Sequence, residues 1–418
     1  MTTNDLQSLQ KKIEALEKAV NTDPFKQGDL SGGGELQTEQ VDQFIDFVRN
    51  QSELAKVGAN FVKFKAAQLD IPYLEFSGRT AFTAEEATDP AFRHKPSTGK
   101  TSIKQQRIVV PAEVSRDSQW FNVEGQGIVD HIMSRLAVGV GNDLDEMGWE
   151  SNALGHARLE SAIKPGGSTT KYIKDAFTGL QDGYLERAHA GSNANPVDCS
   201  NQEVSLETFH AILQALPVEF QGQDLAWFTS KAVEHEMRMW YSSGVGDAAD
   251  KAMSGRGVMT PMGYPLYGLS KFPKNPRVTE HLTFTGAGTS VSLRHTNVSN
   301  VVVIDKTITG GALATPTAAY VITTDYTVNT TTGVVTQTSG GGIGTTEEVK
   351  ITYTAPSMIL LTPPRNLLAA ICEELSLLVD LEIYKYVDMF AMHARVGATL
   401  HQPRVAAIGF NIARRTIS

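Results

Sequence analysis

Phe61-Val62-Lys63-Phe64-Lys65 and Ile71-Pro72-Tyr73-Leu74-Glu75-Phe76 read as strands, and alternation returns from Ser102 to Val114 through Ile103, Ile108 and Val110. A period of two places successive side chains on opposite faces of a strand. Between these runs lies a polar stretch, Ser77 to Thr101, carrying Arg79, Glu85, Glu86, Asp89, Arg93, Lys95 and Lys100. The pattern predicts a long two-stranded arm with an irregular tip. A hairpin of that length has little core of its own and needs a surface to cover it. Directly afterwards the period changes. Ile128, Ile132, Leu136, Val140, Leu144 and Met147 recur every three or four positions, which predicts one long helix over 125–150. Gly139 and Gly141 weaken such a helix, so a close neighbour is expected at its backbone there.

On the N-terminal side, Leu6, Leu9, Ile13, Leu16 and Val20 form a helical stripe over 4–20, too short to stand as an isolated coiled coil. Pro24 stops it, Gly28 to Gly34 makes a joint, and a second helical patch follows over 36–57 with Val41, Phe44, Ile45 and Val48. On the C-terminal side, residues 151–204 are rich in loops. Leu206 to Leu216 predicts a helix capped by Ser205 and stopped by Pro217. Leu225 to Phe228 predicts a buried strand and Lys231 to Tyr241 a helix. Residues 277–355 then turn rich in Thr, Val and Gly. Val301–Ile304, Tyr320–Ile322, Tyr326–Val328, Gly333–Val335 and Val349–Tyr353 predict short strands, and their spacing suggests a small inserted β-sandwich. Helical spacing is read again over Asn366 to Val379, then strands over Leu381 to Ala391 and Val405 to Ala413. The fold class is therefore α+β.

With 418 residues, 41% of them hydrophobic, the chain is long enough for two or three domains. A net charge of −9 argues against tight nucleic-acid binding, which needs clustered Lys and Arg at the phosphates. Cys199 and Cys372 form neither a disulfide framework nor a metal spacing, and a reducing cytoplasm is the expected place of folding. No apolar run is long enough to span a membrane, and Met1 to Asp5 lacks the features of a signal peptide.

No catalytic constellation emerges. Val233-Glu234-His235-Glu236 begins like a zinc-protease helix, but position 239 is Met239 where the second ligand belongs, so His235 is expected at a helix surface. Gly340 to Gly344 and Ser31 to Gly34 do not join a strand to a helix as phosphate cradles do, and read as a turn and a linker. Asp143, Asp145 and Glu146 read as a solvated helix face. No cofactor, metal or catalytic residue is expected.

Read in order, the elements resemble the major capsid proteins of tailed bacteriophages, a fold shared with encapsulins. Four stretches carry the likeness: Ile108 to Ser118; Leu213 to Pro217 with Ala226-Trp227-Phe228; Pro261-Met262-Gly263-Tyr264-Pro265; and Leu360 to Leu368 with Ala394-Arg395 and Arg404 to Ile408. The resemblance implies an N-terminal arm (1–60), an extended β-hairpin loop (61–117), and a spine helix, peripheral domain and first part of an axial domain (118–276). An inserted immunoglobulin-like β-sandwich (277–355) and the closing part of the axial and peripheral domains (356–418) would follow. It implies a shell subunit of an icosahedral head, made of hexamers and pentamers of itself. The head would enclose double-stranded DNA without reading its sequence and would work with portal, scaffolding and decoration proteins in the virion. An encapsulin-type compartment and, from another class, a tail or surface adhesin are the alternatives. Some members of the family cross-link a loop lysine to an asparagine. Lys95, Lys100 or Lys104 could supply the amine, but no matching asparagine and glutamate are found, and no cross-link is expected.

Subunit contacts are expected from two arms. Residues 61–117 carry an excess of Lys and Arg and residues 1–50 an excess of Asp and Glu, so opposite charges favour arm-to-loop encounter. The contact residues expected are Arg79, Phe82, Phe92, Arg93, Lys95 and Lys100 on the loop, and Leu6, Leu9, Ile13 and Leu16 on the arm.

Overall fold

The computed structural model describes residues 52–64, 68–75, 97–104, 106–115, 128–164, 166–179, 181–191, 193–222, 224–242, 258–286, 288–305, 319–344, 347–372, 376–382 and 387–413. The chain divides into two compact units. The first comprises 1–52, 107–143 and 371–396; the second 53–106, 144–370 and 397–418. The expected helix over 4–20 and residues 36–51 of the one expected over 36–57 lie outside the described residues; the end of the latter is described and holds the short helix Glu53–Lys56.

In the first unit, Ser376–Glu382 pairs antiparallel with the strand Val387–Leu400, which also takes Gln106–Ser115 as a neighbour. Arg107 Nη2 stands 3.0 Å from His393 Nδ1 across that pairing.

The second unit is built on a five-stranded sheet in the order Asn195–Asp198, Ala407–Ile412, Ser357–Thr362, Ala226–Ser230, Leu266–Leu269. The two outer pairings are parallel and the two inner ones antiparallel. Every residue of the three inner strands is buried, so both faces are covered. This explains their unbroken apolar runs: a strand covered on both faces does not alternate. The helix Leu206–Ala215 lays Phe209 and Ile212 on the sheet, and Phe209 meets Trp227 edge-on at 4.8 Å. Ser205 caps this helix by accepting from the Thr208 N–H, and it ends before Pro217, both as predicted. The helix Lys231–Ser242 adds Val233 and Met237 to the same core.

The long helix runs Ile128–Glu150. Among the described residues, a Cβ on Gly139 would meet nothing within 4 Å, where a close neighbour is expected. The tight approach falls at Gly148 instead, where a Cβ would lie 2.6 Å from Tyr184 Cε2. Tyr184 packs edge-on against Trp149 at 5.1 Å, and its hydroxyl donates to the Leu368 carbonyl at 3.0 Å.

The described residues of segment 277–355 form two three-stranded antiparallel sheets. One is ordered Arg277–Thr283, Glu348–Thr354, Ser299–Asp305, and the other Ser290–Ser292, Val334–Gln337, Tyr326–Asn329. Tyr320–Ile322 is not a strand. Asp325 folds the chain into a turn by accepting from Val321 N–H at 2.7 Å and Gly342 N–H at 2.6 Å, which leaves Val321 and Ile322 exposed. The helix expected over 366–379 is also absent. Leu367–Cys372 and Ser376–Glu382 are strands. Leu367, Leu368, Ala369, Ala370 and Ile371 are all buried, and a short apolar run buried on every side has no readable period.

Candidate functional site

The predicted arm is present as a hairpin in which Gln68–Glu75 pairs antiparallel with Ser97–Lys104, from Gln68 opposite Lys104 to Glu75 opposite Ser97. Alternation divides it into two faces. Leu69, Ile71 and Tyr73 share one face with Gly99, Thr101 and Ile103, of which Thr101 and Ile103 are buried. The Tyr73 ring lies over Gly99, leaving no room for a Cβ there. Ile103 packs with Leu368 and Ala370, flanked by Val62, Leu69 and Ile71. The Thr101 hydroxyl donates to the His401 carbonyl, and Tyr73 meets the His401 ring edge-on. The inner face thus finds its core in its own unit, which answers the expectation that so thin a ribbon needs cover.

The other face, with Gln68, Asp70, Pro72, Lys100 and Lys104, is exposed. Lys100 is the one predicted contact residue among those described. Its Nζ stands 2.8 Å from Asp70 Oδ2, and Gln68 Nε2 donates to Asp70 Oδ1 at 2.6 Å. The hydrogen bonds from Gln68 and Lys100 hold the Asp70 carboxyl below the usual range. Part of the cationic charge of this face is therefore already compensated within the hairpin. Arg79, Phe82, Phe92, Arg93 and Lys95 lie outside the described residues, as do Leu6, Leu9, Ile13 and Leu16.

A second constellation escaped the sequence reading because its members are scattered along the chain. His156 lies buried between the end of the long helix and the sheet of Arg277–Thr283. Its Nε2 can only donate to the Glu150 carbonyl, at 2.7 Å. Its Nδ1 must then accept from the Thr279 hydroxyl at 2.9 Å, which accepts from Thr352 at 2.9 Å, which accepts from Ala157 N–H at 3.0 Å. Each proton in this chain has one place to go, and burial pushes the imidazole down to about 4. Alongside it, Arg294 ties Glu186 of the helix Tyr184–Ala190 at 3.0 Å to Glu280 at 3.3 Å. Tyr353 donates to Glu280 and meets His295 Nδ1 at 2.7 Å. Asp145, read as solvated, is fully buried and accepts from the Glu53 N–H at 2.8 Å. Thr279 and Thr352 stand directly opposite each other in neighbouring strands, a register that no spacing along the chain announces.

His235 is exposed on its helix, as expected. Cys199 is a buried free thiol, pushed up to about 11 mainly by burial. Among the described residues no group of three or more His, Cys, Asp or Glu is placed to hold a metal, and no helix is long and apolar enough to cross a membrane.

No family model matches the sequence. A Bacillus subtilis (strain 168) protein named "Putative prophage capsid protein YqbE" is 20% identical over 258 residues, 61% of this chain and 75% of that protein. Among solved structures, a chain of the satellite phage P4 procapsid including size determination (Sid) protein superposes with a TM-score of 0.53 at 10% identity, covering 99% of both chains. A capsid chain of an empty GTA particle is similar at a TM-score of 0.45 and 13% identity, covering 87% of this chain and 90% of that one. The hairpin, the long helix, the mixed five-stranded sheet and a superposition extending over nearly the whole of the P4 procapsid chain together give this protein the α+β fold of tailed-phage major capsid proteins.

Proposed function

We propose that this chain is a non-enzymatic structural subunit that assembles with copies of itself into the closed shell of a tailed-phage head. The observation that carries the reading is the superposition on the P4 procapsid chain over 99% of both chains. The prophage capsid relative supports it. A closed shell arises when one subunit repeats the same contacts around symmetry axes, here hexamers and pentamers. The shell encloses double-stranded DNA without reading its sequence, consistent with the net charge of −9. Portal, scaffolding and decoration proteins are its further partners in the virion. Electron microscopy of the purified protein tests this. Closed shells are expected; a protein that stays monomeric or forms only open filaments under all assembly conditions overturns it.

Within that reading, the loop residues Arg79, Phe82, Phe92, Arg93, Lys95 and Lys100 meet a neighbouring subunit, and Leu6, Leu9, Ile13 and Leu16 supply a second contact. The exposed polar face of the hairpin supports the first assignment, since its inner face is already satisfied. Changing Arg93, Lys95 and Lys100 together to Glu is expected to leave a soluble subunit that assembles poorly at low salt. Normal shells at normal rates would rule out the electrostatic contact. Because Lys100 pairs with Asp70, the exchange Asp70→Lys with Lys100→Glu is the control. It restores the pair inside the hairpin and assembles poorly only if Lys100 faces a neighbour's carboxylate.

A further inference from the structure

A cavity of ≈ 20 Å³ lies where the end of the long helix, the helix Tyr184–Ala190 and the segment at His295 meet. Trp149, Ser151, His189 and His295 line it together with Glu150, Glu186 and Arg277. Four polar atoms of these side chains are buried without a protein partner: Trp149 Nε1, Ser151 Oγ, His189 Nε2 and His295 Nε2. Buried polar groups are rarely left so, because each loses its hydration with nothing in return.

The bonds on the far sides of the two imidazoles fix what each presents. The Tyr353 hydroxyl is committed as donor to Glu280, a carboxylate held by Arg294. The 2.7 Å contact between Tyr353 and His295 must therefore be a donation from His295 Nδ1–H, and His295 Nε2 carries a lone pair. For His189 the logic reverses. Arg294 can only donate, so His189 Nδ1 accepts from it at 3.5 Å and the ring proton sits on Nε2. Trp149 Nε1–H is a donor, and the Ser151 hydroxyl serves either way. The unpartnered atoms thus comprise two N–H donors, one acceptor and one hydroxyl free to accept.

We propose that this cavity binds one ordered water molecule, which accepts from Trp149 and His189 and donates to His295 and Ser151. A water has two lone pairs and two protons, matching the four groups one to one. The volume suits about one water, which typically makes three bonds when buried. A halide has no proton for the His295 lone pair and would face Glu150 and Glu186. A cation would face the two N–H donors and Arg277. The neutral ligand is the one whose charge and proton count both fit. The water joins the end of the long helix to the root of the 277–355 segment beside the direct ion pair of Arg277 with Glu150 at 2.9 Å.

The test is an experimental structure of the assembled protein at a resolution that shows ordered waters, together with a bromide soak read by anomalous diffraction from crystals of the subunit. The expected result is a single peak within hydrogen-bond distance of all four atoms and no bromide signal. A bromide peak would assign the site to an anion instead. A dry cavity, or side chains turned so that the four groups pair with one another, would equally overturn the proposal.

Discussion

The five-stranded sheet and the root of the 277–355 segment, both in the second unit, are buried to a similar degree and held by different physics. Around Trp227, Phe209, Ile359 and Leu361 the contacts are apolar. At the root, Thr279, Glu280, Lys350 and Thr352 are buried in the strands and His156 beneath them, and hydrogen bonds and ion pairs replace much of the apolar contact. Apolar burial is insensitive to protons, whereas a buried ionisable group couples stability to pH. The sheet should behave as a fixed frame, and the root as the part of the unit that solution conditions can loosen.

The sharpest way to establish the frame is Trp227→Ala. The ring is fully buried, and its Nε1 donates to the Pro261 carbonyl at 3.0 Å. The loss should fall near the upper end of ~3–5 kcal/mol for such truncations. It should be the same at neutral and mildly acidic pH in denaturant unfolding. Arg294→Ala attacks the root. It leaves Glu186 and Glu280 buried without their cation, and removing one partner of a buried pair costs about 3–5 kcal/mol. The guanidinium is partly exposed, so the lower end is expected. Unlike the tryptophan change, this cost should shrink in acid. Burial already raises the Glu186 carboxyl, and a protonated acid no longer needs the cation. If the two variants show the same pH profile, the contrast between frame and root fails.

Acid alone should act next. His156 ionises at about 4 in the folded protein, against an ordinary value near 6.5, because it is buried. Between those values the unfolded chain binds more protons than the folded one. The contribution is therefore complete above about 6.5, is lost as pH falls towards 4, and changes no further below that. The shift corresponds to on the order of 3 kcal/mol. His189 is depressed to about 4 by burial and Arg294 and acts in the same window, and His295, pushed well below its ordinary value mainly by burial, acts in the same direction. Hydrogen exchange followed from pH 7 to 4 should show the strands Arg277–Thr283 and Glu348–Thr354 losing protection before Ser357–Thr362. Simultaneous loss would mean that root and frame open as one.

What the sequence disclosed divides along the same line. The hairpin and the long helix were legible because each has one buried face, and a single face writes a period into the sequence. Leu206–Ala215 was legible at both ends because Ser205 and Pro217 act locally. Leu367–Cys372 was misread as helix because burial on all sides erases the period. The root was not legible at all. His156, Thr279, Arg294 and Thr352 become neighbours only once the sheets form, and no spacing along the chain announces a bond between residues 123 apart such as His156 and Thr279. Asp145 failed for the same reason, since its partner Glu53 lies 92 residues away. For the contact residues, sequence marks charge and aromaticity on the loop but carries no record of the neighbour they would meet.

The smallest expected effect probes the frame through a polar group that does not titrate. Ser205 accepts the Thr208 N–H at 3.4 Å and supplies the cap that orients Phe209 and Ile212 onto the sheet. Ser205→Ala should cost about 1 kcal/mol, with no dependence on pH, because a hydroxyl keeps its proton throughout. Ser205→Asp keeps the cap and adds a charge that favours the helix N-terminus. Near neutral pH it should match or exceed the native serine. A carboxylate stabilised in this way has its folded pKa lowered. Its added stability should be complete above about 3.9, the unfolded value, and disappear as the pH falls below it. One substitution would thus give the frame an acid sensitivity it does not natively possess, in a window below that of the buried histidines. If Ser205→Ala proved markedly weaker in acid than at neutral pH, the helix and its sheet would themselves be coupled to the histidine network, and the separation between frame and root would have to be abandoned.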